Sequence, residues 1–159
     1  MTSADAEALT ALRLVDRDYV RPWEPDSDEP ERWFTVESVR AWITDGASRF
    51  AIVDDETVVG LVSLTGIHRE ALQSAMLSYF VASAHTRKGL ATAAVADMLA
   101  IGFGELGLHR VEAGTAVANI ASQRVLERNG FTRVGLLRRH LLIQGEWVDH
   151  YLWERLADD

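Results

Sequence analysis

The fold of this chain is decided by the stretch Tyr79-Phe80-Val81-Ala82-Ser83-Ala84-His85-Thr86-Arg87-Lys88-Gly89-Leu90-Ala91-Thr92. Its first residues continue an apolar run from Met76, which predicts a buried strand. From Leu90 onward, apolar residues recur every three or four positions, which predicts a helix that ends at Gly107. The stretch is therefore a strand, a basic turn that contains glycine, and the start of a long helix.

The turn before this helix has the chemistry of an anion site. A helix start leaves about four backbone N–H groups unpaired and carries roughly half a positive charge. Gly89 has no Cβ, so a ligand can approach the backbone, and Arg87 and Lys88 add two formal charges. These features predict a site for a phosphate or diphosphate group. The alternative is an ordinary helix N-terminus with two solvated cations.

The stretch Thr86-Arg87-Lys88-Gly89-Leu90-Ala91 resembles the Q/R-x-x-G-x-G/A loop of the GNAT family of N-acetyltransferases. Thr86 stands where the family usually has Gln or Arg. Because the family's phosphate contacts come largely from the backbone, we expect the loop to tolerate it. Other segments resemble the branch of ribosomal-protein-alanine N-acetyltransferases, and together they extend over nearly the whole chain: Arg21-Pro22-Trp23-Glu24-Pro25, Asn119-Ile120-Ala121-Ser122, Asn129-Gly130-Phe131 and Gly145-Glu146-Trp147-Val148-Asp149-His150.

The resemblance implies an α+β fold with three α/β/α layers. Its sheet would be mixed but mostly antiparallel, with about six strands, splayed in the middle and flanked by about four helices. Only Met1 and Thr2 precede Ser3, the predicted cap of the first helix, so we expect that the family's first strand is either lost or left out of a shortened chain. One sheet edge would then be open to another chain, for example in a homodimer. The remaining sequence predicts helices at 3–20, 35–44 and 119–129, hairpins around 54–56 and 144–145, and strands at 74–82 and 110–116.

Composition restricts the classes of function. The 159 residues suit one domain, residues 1–159. The formal net charge of −8 argues against nucleic acid as a main partner, and suits either a cationic substrate or solubility alone. There are no cysteines, which excludes disulfides and a cysteine nucleophile, and the five histidines lack metal-ligand spacing. Without a signal peptide or membrane span in the sequence, we expect no membrane partner and a cytoplasmic location.

The resemblance also implies a cofactor, acetyl-CoA, and its binding residues. The loop would hold the diphosphate of coenzyme A through Thr86, Arg87, Lys88, Gly89, Leu90, Ala91 and Thr92. The strand before it would pair its main-chain groups at Phe80 and Val81 with the pantetheine arm, as an added strand pairs with a sheet edge. The arm would lie where this strand splays from the strand at 110–116. In the family, the side chain at Asn119 contacts the arm, and the residue corresponding to Ser122 lies near the acetyl sulfur.

The catalytic candidates are Ser122 and Tyr79. The resemblance makes Ser122 the general acid that protonates the leaving thiolate. The residues alone indicate instead that Asn119 caps a helix and that Ser122 fills its first turn. The general base stays open, because Leu141 stands where some relatives carry a Glu. The remaining base candidates, each of which can equally have a structural role, are Tyr79, His140, Glu112, Glu24 and an ordered water.

The candidate acceptor residues are Trp23, Glu24 and Trp33, because the family's first two helices form one wall of the acceptor groove. The alternative is that a tryptophan in a loop framed by prolines is a packing anchor. The sequence as a whole favours an acetyl-CoA-dependent N-acetyltransferase acting on a primary amine, with the N-terminal α-amine of a protein or peptide preferred. The alternatives are acetylation of a small amine, and a non-catalytic factor that binds acyl-CoA or associates with the ribosome.

Overall fold

The computed structural model describes residues 1, 5–31, 33–44 and 48–159. Its centre is a six-stranded sheet in the order β1-β2-β3-β4-β6-β5. All neighbouring strands are antiparallel except β3 and β4, which run parallel. The sheet is therefore mixed and mostly antiparallel, as predicted. The strands are β1 Ser48–Asp54, β2 Thr57–His68, β3 Ser74–Val81, β4 Arg110–Ala116, β5 Thr132–Ile143 and β6 Glu146–Leu156.

Helices cover both faces of this sheet. They are α1 Ala6–Val15, α2 Arg17–Val20, α3 Val36–Ile43, α4 Leu90–Ala100 and α5 Ile120–Arg128. One buried cluster contains Leu61 together with residues of α1 and α3. The next residue of the strand, Val62, belongs to the other cluster, which includes Met98 of α4 and Leu126 of α5. Because neighbouring residues of a strand face opposite sides, this division gives the predicted α/β/α layers. No helix in the described ranges is both long and apolar enough to cross a membrane.

The first predicted helix is divided in two at Asp16, so the described chain has five α-helices rather than about four. The apolar spacing of this helix predicts a buried face of Leu9, Leu12, Val15 and Tyr19, and the structure confirms Leu9, which is fully buried, but not the last two. Val15 is 85% exposed and Tyr19 44% exposed, whereas Arg13 and Asp16 are both 5% exposed. These two charged residues can occupy the buried face because each finds a charged or hydrogen-bonding partner there. The predicted cap Ser3 lies outside the described residues.

Both predicted hairpins are present with two-residue turns, and the first turn is one residue shorter than predicted because Asp54 belongs to β1. Asp55 and Glu56 both have positive φ, and so do Gln144 and Gly145. Positive φ at both central residues is typical of the type I′ turn, which matches the twist of antiparallel strands. In the second turn the N–H groups of Gln144 and Gly145 donate to the carboxylate of Asp26, at 2.8 and 2.7 Å. This contact ties the acidic loop after Trp23 to the tip of the β5–β6 hairpin.

The long helix begins at Leu90 as predicted, but its last turn is wider than an α-helix. A π-helical turn, Ile101–Glu105, follows α4. The N–H of Leu106 donates to the carbonyl of Ile101 at 2.9 Å, and Gly107 follows with φ +59. Gly107 therefore ends the helical segment at the predicted position.

The middle of the sheet is splayed. The parallel ladder between β3 and β4 extends over three residue pairs, Ser74 with Arg110 through Met76 with Glu112. Beyond them β3 continues to Val81 and β4 to Ala116. The two strands thus separate towards the helix-start turn, which leaves one edge of β3 facing a gap. One of the two outer strands of the sheet is β1, where the amino group of Met1 donates to the carbonyl of Arg49 at 3.0 Å. No strand precedes α1 within the described residues, and pairing of this edge in a homodimer stays a prediction.

Candidate active site

A cleft of about 740 Å³ opens at the gap between β3 and β4. It brings together residues that are far apart in the sequence. Of the predicted site residues, it is lined by Trp23, Glu24, Trp33, Tyr79, Phe80, Val81, Thr86, Arg87, Gly89, Leu90, Ala91, Thr92, Asn119 and Ser122. Of the residues predicted to bind the cofactor, Lys88 is the one that does not line the cleft. The strand, the turn, the start of α5 and the loop after α2 therefore converge on one cavity.

The start of α4 presents unpaired backbone N–H groups to this cleft. Gly89 is the N-cap residue, with φ +84, and no side chain caps the helix. A Cβ built on Gly89 would have no atom within 4 Å. The first intrahelical bond runs from the N–H of Ala93 to the carbonyl of Gly89, at 3.0 Å. Because helix geometry leaves the preceding N–H groups without helical partners, the turn can bind an anion with its main chain.

Lys88 and His85 hold the turn to the neighbouring hairpin. Lys88 Nζ and His85 Nδ1 lie 2.7 and 3.1 Å from Oδ2 of Asp54, the last residue of β1. The hydrogen bonds from Lys88 first and His85 second lower the pKa of the Asp54 carboxyl below its usual value. His85 also lines the cleft, which the sequence analysis missed. Lys88 therefore lies against the β1–β2 turn. The predicted contact of Lys88 with a cofactor stays a prediction, and the position of the side chain outside the cleft does not favour it.

A second contact fixes the segment before the turn from the opposite side. The N–H of Ser83 donates to Asp16 Oδ2 at 2.5 Å, and Ser83 Oγ donates to Asp16 Oδ1 at 2.6 Å. Asp16 lies at the break between α1 and α2, which places its carboxylate next to β3 and the turn. Sequence reasoning missed this residue, since an acidic side chain in an amphipathic helix ordinarily faces solvent. The contact joins the helices of one face to the turn that starts α4.

Tyr79 and Ser122 face each other across the gap. Tyr79 Oη lies 2.7 Å from Ser122 Oγ and donates to the Ser122 carbonyl at 3.1 Å. Asn119 Oδ1 accepts a hydrogen bond from the Ser122 N–H at 3.1 Å, which confirms the predicted cap. Burial raises the pKa of Tyr79 to about 12. The phenol therefore stays protonated near neutral pH, where it can donate a proton but cannot act as a general base.

The raised pKa of Tyr79 predicts a loss of stability in alkali. An unfolded tyrosine has a pKa near 10, so the neutral phenol is favoured by folding. This contribution is complete below about pH 10 and is lost as the pH rises towards about 12. We expect the free energy of unfolding, measured in urea, to fall over this interval by more in the wild type than in Tyr79→Phe. Equal pH dependence in the two proteins would contradict the assignment.

A buried arginine lies beside the predicted acceptor residues. Arg13 forms an ion pair with Glu24. Its guanidinium carbon lies 5.1 Å from the ring centre of Trp33 and 5.8 Å from that of Phe80. These contacts give the cation both a countercharge and aromatic faces. No sequence pattern indicates this role of Arg13, because its partner residues lie on other segments. Glu24 is therefore already paired where it lines the cleft.

The other base candidates lie outside the cleft. Glu112 is in β4 opposite Met76 and Glu154, and His140 stacks edge-on against His150 with ring centres 5.5 Å apart. Neither is among the lining residues. Asp149 accepts a hydrogen bond from the N–H of Arg139 at 2.7 Å, which is a structural contact within the β5–β6 hairpin. Among the described residues that line the cleft, Glu24 is thus the sole carboxylate.

The family model described as "Acetyltransferase (GNAT) domain" matches residues 1–132. This chain belongs to the GNAT family. The probable N-acetyltransferase YjcK of Bacillus subtilis (strain 168) is 37% identical to it over 165 residues, covering 98% of this chain and 90% of that protein. The ribosomal protein uS5-alanine N-acetyltransferase of Escherichia coli (strain K12) is 26% identical over 156 residues, covering 93% of this chain and 80% of that one.

A solved structure gives the same result for the whole fold. Mycobacterium smegmatis RimJ in complex with CoA-disulfide matches with a TM-score of 0.92 and 34% identity, covering 99% of this chain and 80% of that chain. The predicted family and α+β fold are thus confirmed, and this GNAT chain is an acyltransferase.

Proposed function

We propose that this GNAT chain transfers the acetyl group of acetyl-CoA to the N-terminal α-amine of a protein or peptide. One observation carries the proposal: the uncapped helix start at Gly89 and the hydroxyl pair of Tyr79 and Ser122 open into the same cleft. The donor is supported by the coenzyme in the RimJ complex, and the acceptor by the name of the uS5-alanine relative.

The cleft suits the two polar parts of the donor. The main-chain N–H groups of residues 90–92 would bind the diphosphate, with Arg87 at the edge of the same turn. One edge of β3 is already paired with β2, at Phe80 and Val81 among other residues. Its free edge beyond Met76 would accept the amides of the pantetheine arm as a further strand would. The thioester would then lie at the far end of the arm, near Ser122.

Ser122 would give the proton that the leaving thiolate requires. As the acceptor nitrogen bonds to the acetyl carbon and the carbon–sulfur bond breaks, the Ser122 hydroxyl donates its proton to sulfur. Tyr79 Oη, 2.7 Å from Ser122 Oγ, would then turn its hydrogen from the Ser122 carbonyl to Ser122 Oγ and donate it there. The pKa of Tyr79, raised to about 12 by burial, keeps this proton available near neutral pH. The nitrogen releases its own proton to water, and water returns one proton to Tyr79, so that both hydroxyl groups are restored.

The acceptor must be a neutral amine before it can attack. An α-amine with a pKa near 8 needs about 1.4 kcal/mol to lose its proton at pH 7, and a lysine near 10.4 needs about 4.6 kcal/mol. The sole carboxylate among the described lining residues, Glu24, is paired with Arg13. A site with no unpaired carboxylate to act as a base should therefore prefer α-amines, which deprotonate more easily.

A peptide panel tests this function. One peptide carries a free N-terminus and no lysine, and its matched partner has an acetylated N-terminus and one lysine. We expect thiol release from acetyl-CoA at pH 7 to be about 200-fold faster with the first peptide, from the difference in deprotonation free energy. Mass spectrometry then locates the added acetyl group. Faster release with the lysine peptide, or release with small amines alone, would contradict the proposed acceptor.

A further inference from the structure

The part of the cleft that holds Trp23, Glu24 and Trp33 already contains a cation of the protein itself. Arg13, in the last turn of α1, lines the cleft, yet its side chain is only 7% exposed. It forms an ion pair with Glu24, the sole carboxylate among the described lining residues. Because a buried charge is stable only where other groups compensate it, the surroundings of Arg13 form a cation site.

Aromatic rings complete this cation site. The guanidinium carbon of Arg13 lies 5.1 Å from the ring centre of Trp33 and 5.8 Å from those of Phe34 and Phe80. The face of an aromatic ring attracts a cation within about 6 Å, whether the cation is a guanidinium or an ammonium group. One carboxylate and three rings therefore make a site that also suits the ammonium group of a ligand.

The site holds Arg13 by charge more than by hydrogen bonds. Nε of Arg13 is buried and has no hydrogen-bond partner among the described residues. A guanidinium has five N–H donors in fixed directions, whereas an ammonium is compact and its three donors rotate. The directional donors of Arg13 are thus not all used, and a ligand ammonium would find the same carboxylate and the same rings.

We propose that Arg13 is a specificity-determining residue, an internal cation that fills the site which a second ammonium group of an acceptor would otherwise occupy. This inference rests on the proposed function, because it concerns the acceptor of the same reaction. Phe80 follows Tyr79 in β3, and neighbouring residues of a strand point to opposite sides. The cation site and the hydroxyl pair therefore lie on either side of one strand.

This arrangement selects against linear diamines. A diamine that brings one amine to the thioester can reach the cation site only with its second ammonium group. There the ammonium meets Arg13, and the two like charges repel each other. An acceptor that carries its reacting amine and no second ammonium nearby meets no such repulsion.

Calorimetry on the full chain tests the cation site with 1,4-diaminobutane and its uncharged counterpart 1,4-butanediol. In Arg13→Gln, Glu24 and the rings remain without their cation, so the diamine should bind about 10-fold more tightly than to the wild type, which corresponds to about 1.4 kcal/mol. The affinity for the diol should not change. Arg13→Lys keeps a cation and should keep the wild-type affinity, and the double variant Arg13→Gln, Glu24→Gln should lose the gain.

Thiol release from acetyl-CoA tests the effect on specificity. At limiting acceptor concentration, the ratio of the rates with 1,4-diaminobutane and with butylamine should rise about 10-fold from the wild type to Arg13→Gln. A purely structural role of Arg13 would change both rates alike. Arg13→Met, which removes the charge and keeps an apolar stem, is the second variant if Arg13→Gln is unstable.

The matched control is Arg17→Gln. Arg17 also lies over Phe34, 4.4 Å from the ring centre, and pairs with Glu31, but it is exposed and does not line the cleft. It should keep the wild-type affinity and rate ratio, and thermal unfolding should show which variants are folded. An unchanged diamine affinity without the Arg13 charge, a gain that survives Glu24→Gln, or an unchanged rate ratio would overturn the role of Arg13. Failure of the wild type to acetylate the free-N-terminus peptide would instead overturn the proposed function, while calorimetry would still report on the cation site.

Discussion

Replacing Ser122 by alanine should lower kcat by about 100-fold or more, the usual size of a general-acid contribution. The leaving thiolate would lose its direct proton donor. Tyr79 cannot replace this donor, because its hydroxyl contacts Ser122 Oγ and lies behind Ser122 as seen from the proposed position of the sulfur. The affinity for acetyl-CoA should stay within about twofold, because the diphosphate site and the β3 edge are unchanged. Steady-state kinetics with a free-N-terminus peptide, together with calorimetry of the cofactor, measures both quantities.

Two further variants separate chemistry from structure at this position. Ser122→Thr keeps a hydroxyl and should recover much of the activity. Tyr79→Phe removes the second donor and should cost about 10-fold, since Ser122 can still deliver its own proton. If Ser122→Ala kept more than a tenth of kcat with the cofactor still bound, Ser122 would be no more than part of the first turn that Asn119 caps.

Replacing Gly60 by alanine should destabilise the fold by about 3 kcal/mol or more, at the upper end of the cost of overpacking. A Cβ at this position would lie 2.2 Å from the carbonyl oxygen of Phe80 and 3.1 Å from Cα of Val81. Both are backbone atoms of β3, so no side-chain rotation can relieve the contact. Separation of β2 from β3 would also move the strand edge that we propose binds the pantetheine arm, so the affinity for acetyl-CoA should fall.

Gly114→Ala provides the matched control, because Gly114 is also in a strand and a Cβ there would have no atom within 4 Å. We expect its free energy of unfolding to lie within about 1 kcal/mol of the wild type. Urea unfolding of both variants gives the comparison. Equal stability of the two would show that β2 and β3 can adjust to the added methyl group.

The sequence determined the elements whose signals are local. The apolar run before Gly89 and the periodic run after it placed β3 and α4, and β4 has the predicted bounds Arg110–Ala116. Asn119 caps α5 as its position before the helix indicated. Each of these features depends on residues that are close together in the sequence. Over such short distances, intrinsic propensity and hydrophobic periodicity determine the secondary structure. The order of motifs in turn indicated the family, which the comparisons confirmed.

Tertiary structure alone decided the contacts between distant segments. Asp16 accepts a hydrogen bond from Ser83, 67 positions away in the sequence. Arg13 forms an ion pair with Glu24 and a cation–π contact with the ring of Phe80. A buried charge is stable only where a partner satisfies it, and a partner on another element leaves no periodic trace in the sequence. The sequence pattern therefore placed Leu9 in the core correctly, but it added Val15 and Tyr19 to the buried face and left out Arg13 and Asp16. For the same reason, the sequence does not show that Arg124 and Arg128 line the cleft. Their position there depends on the packing of α5 beside α4.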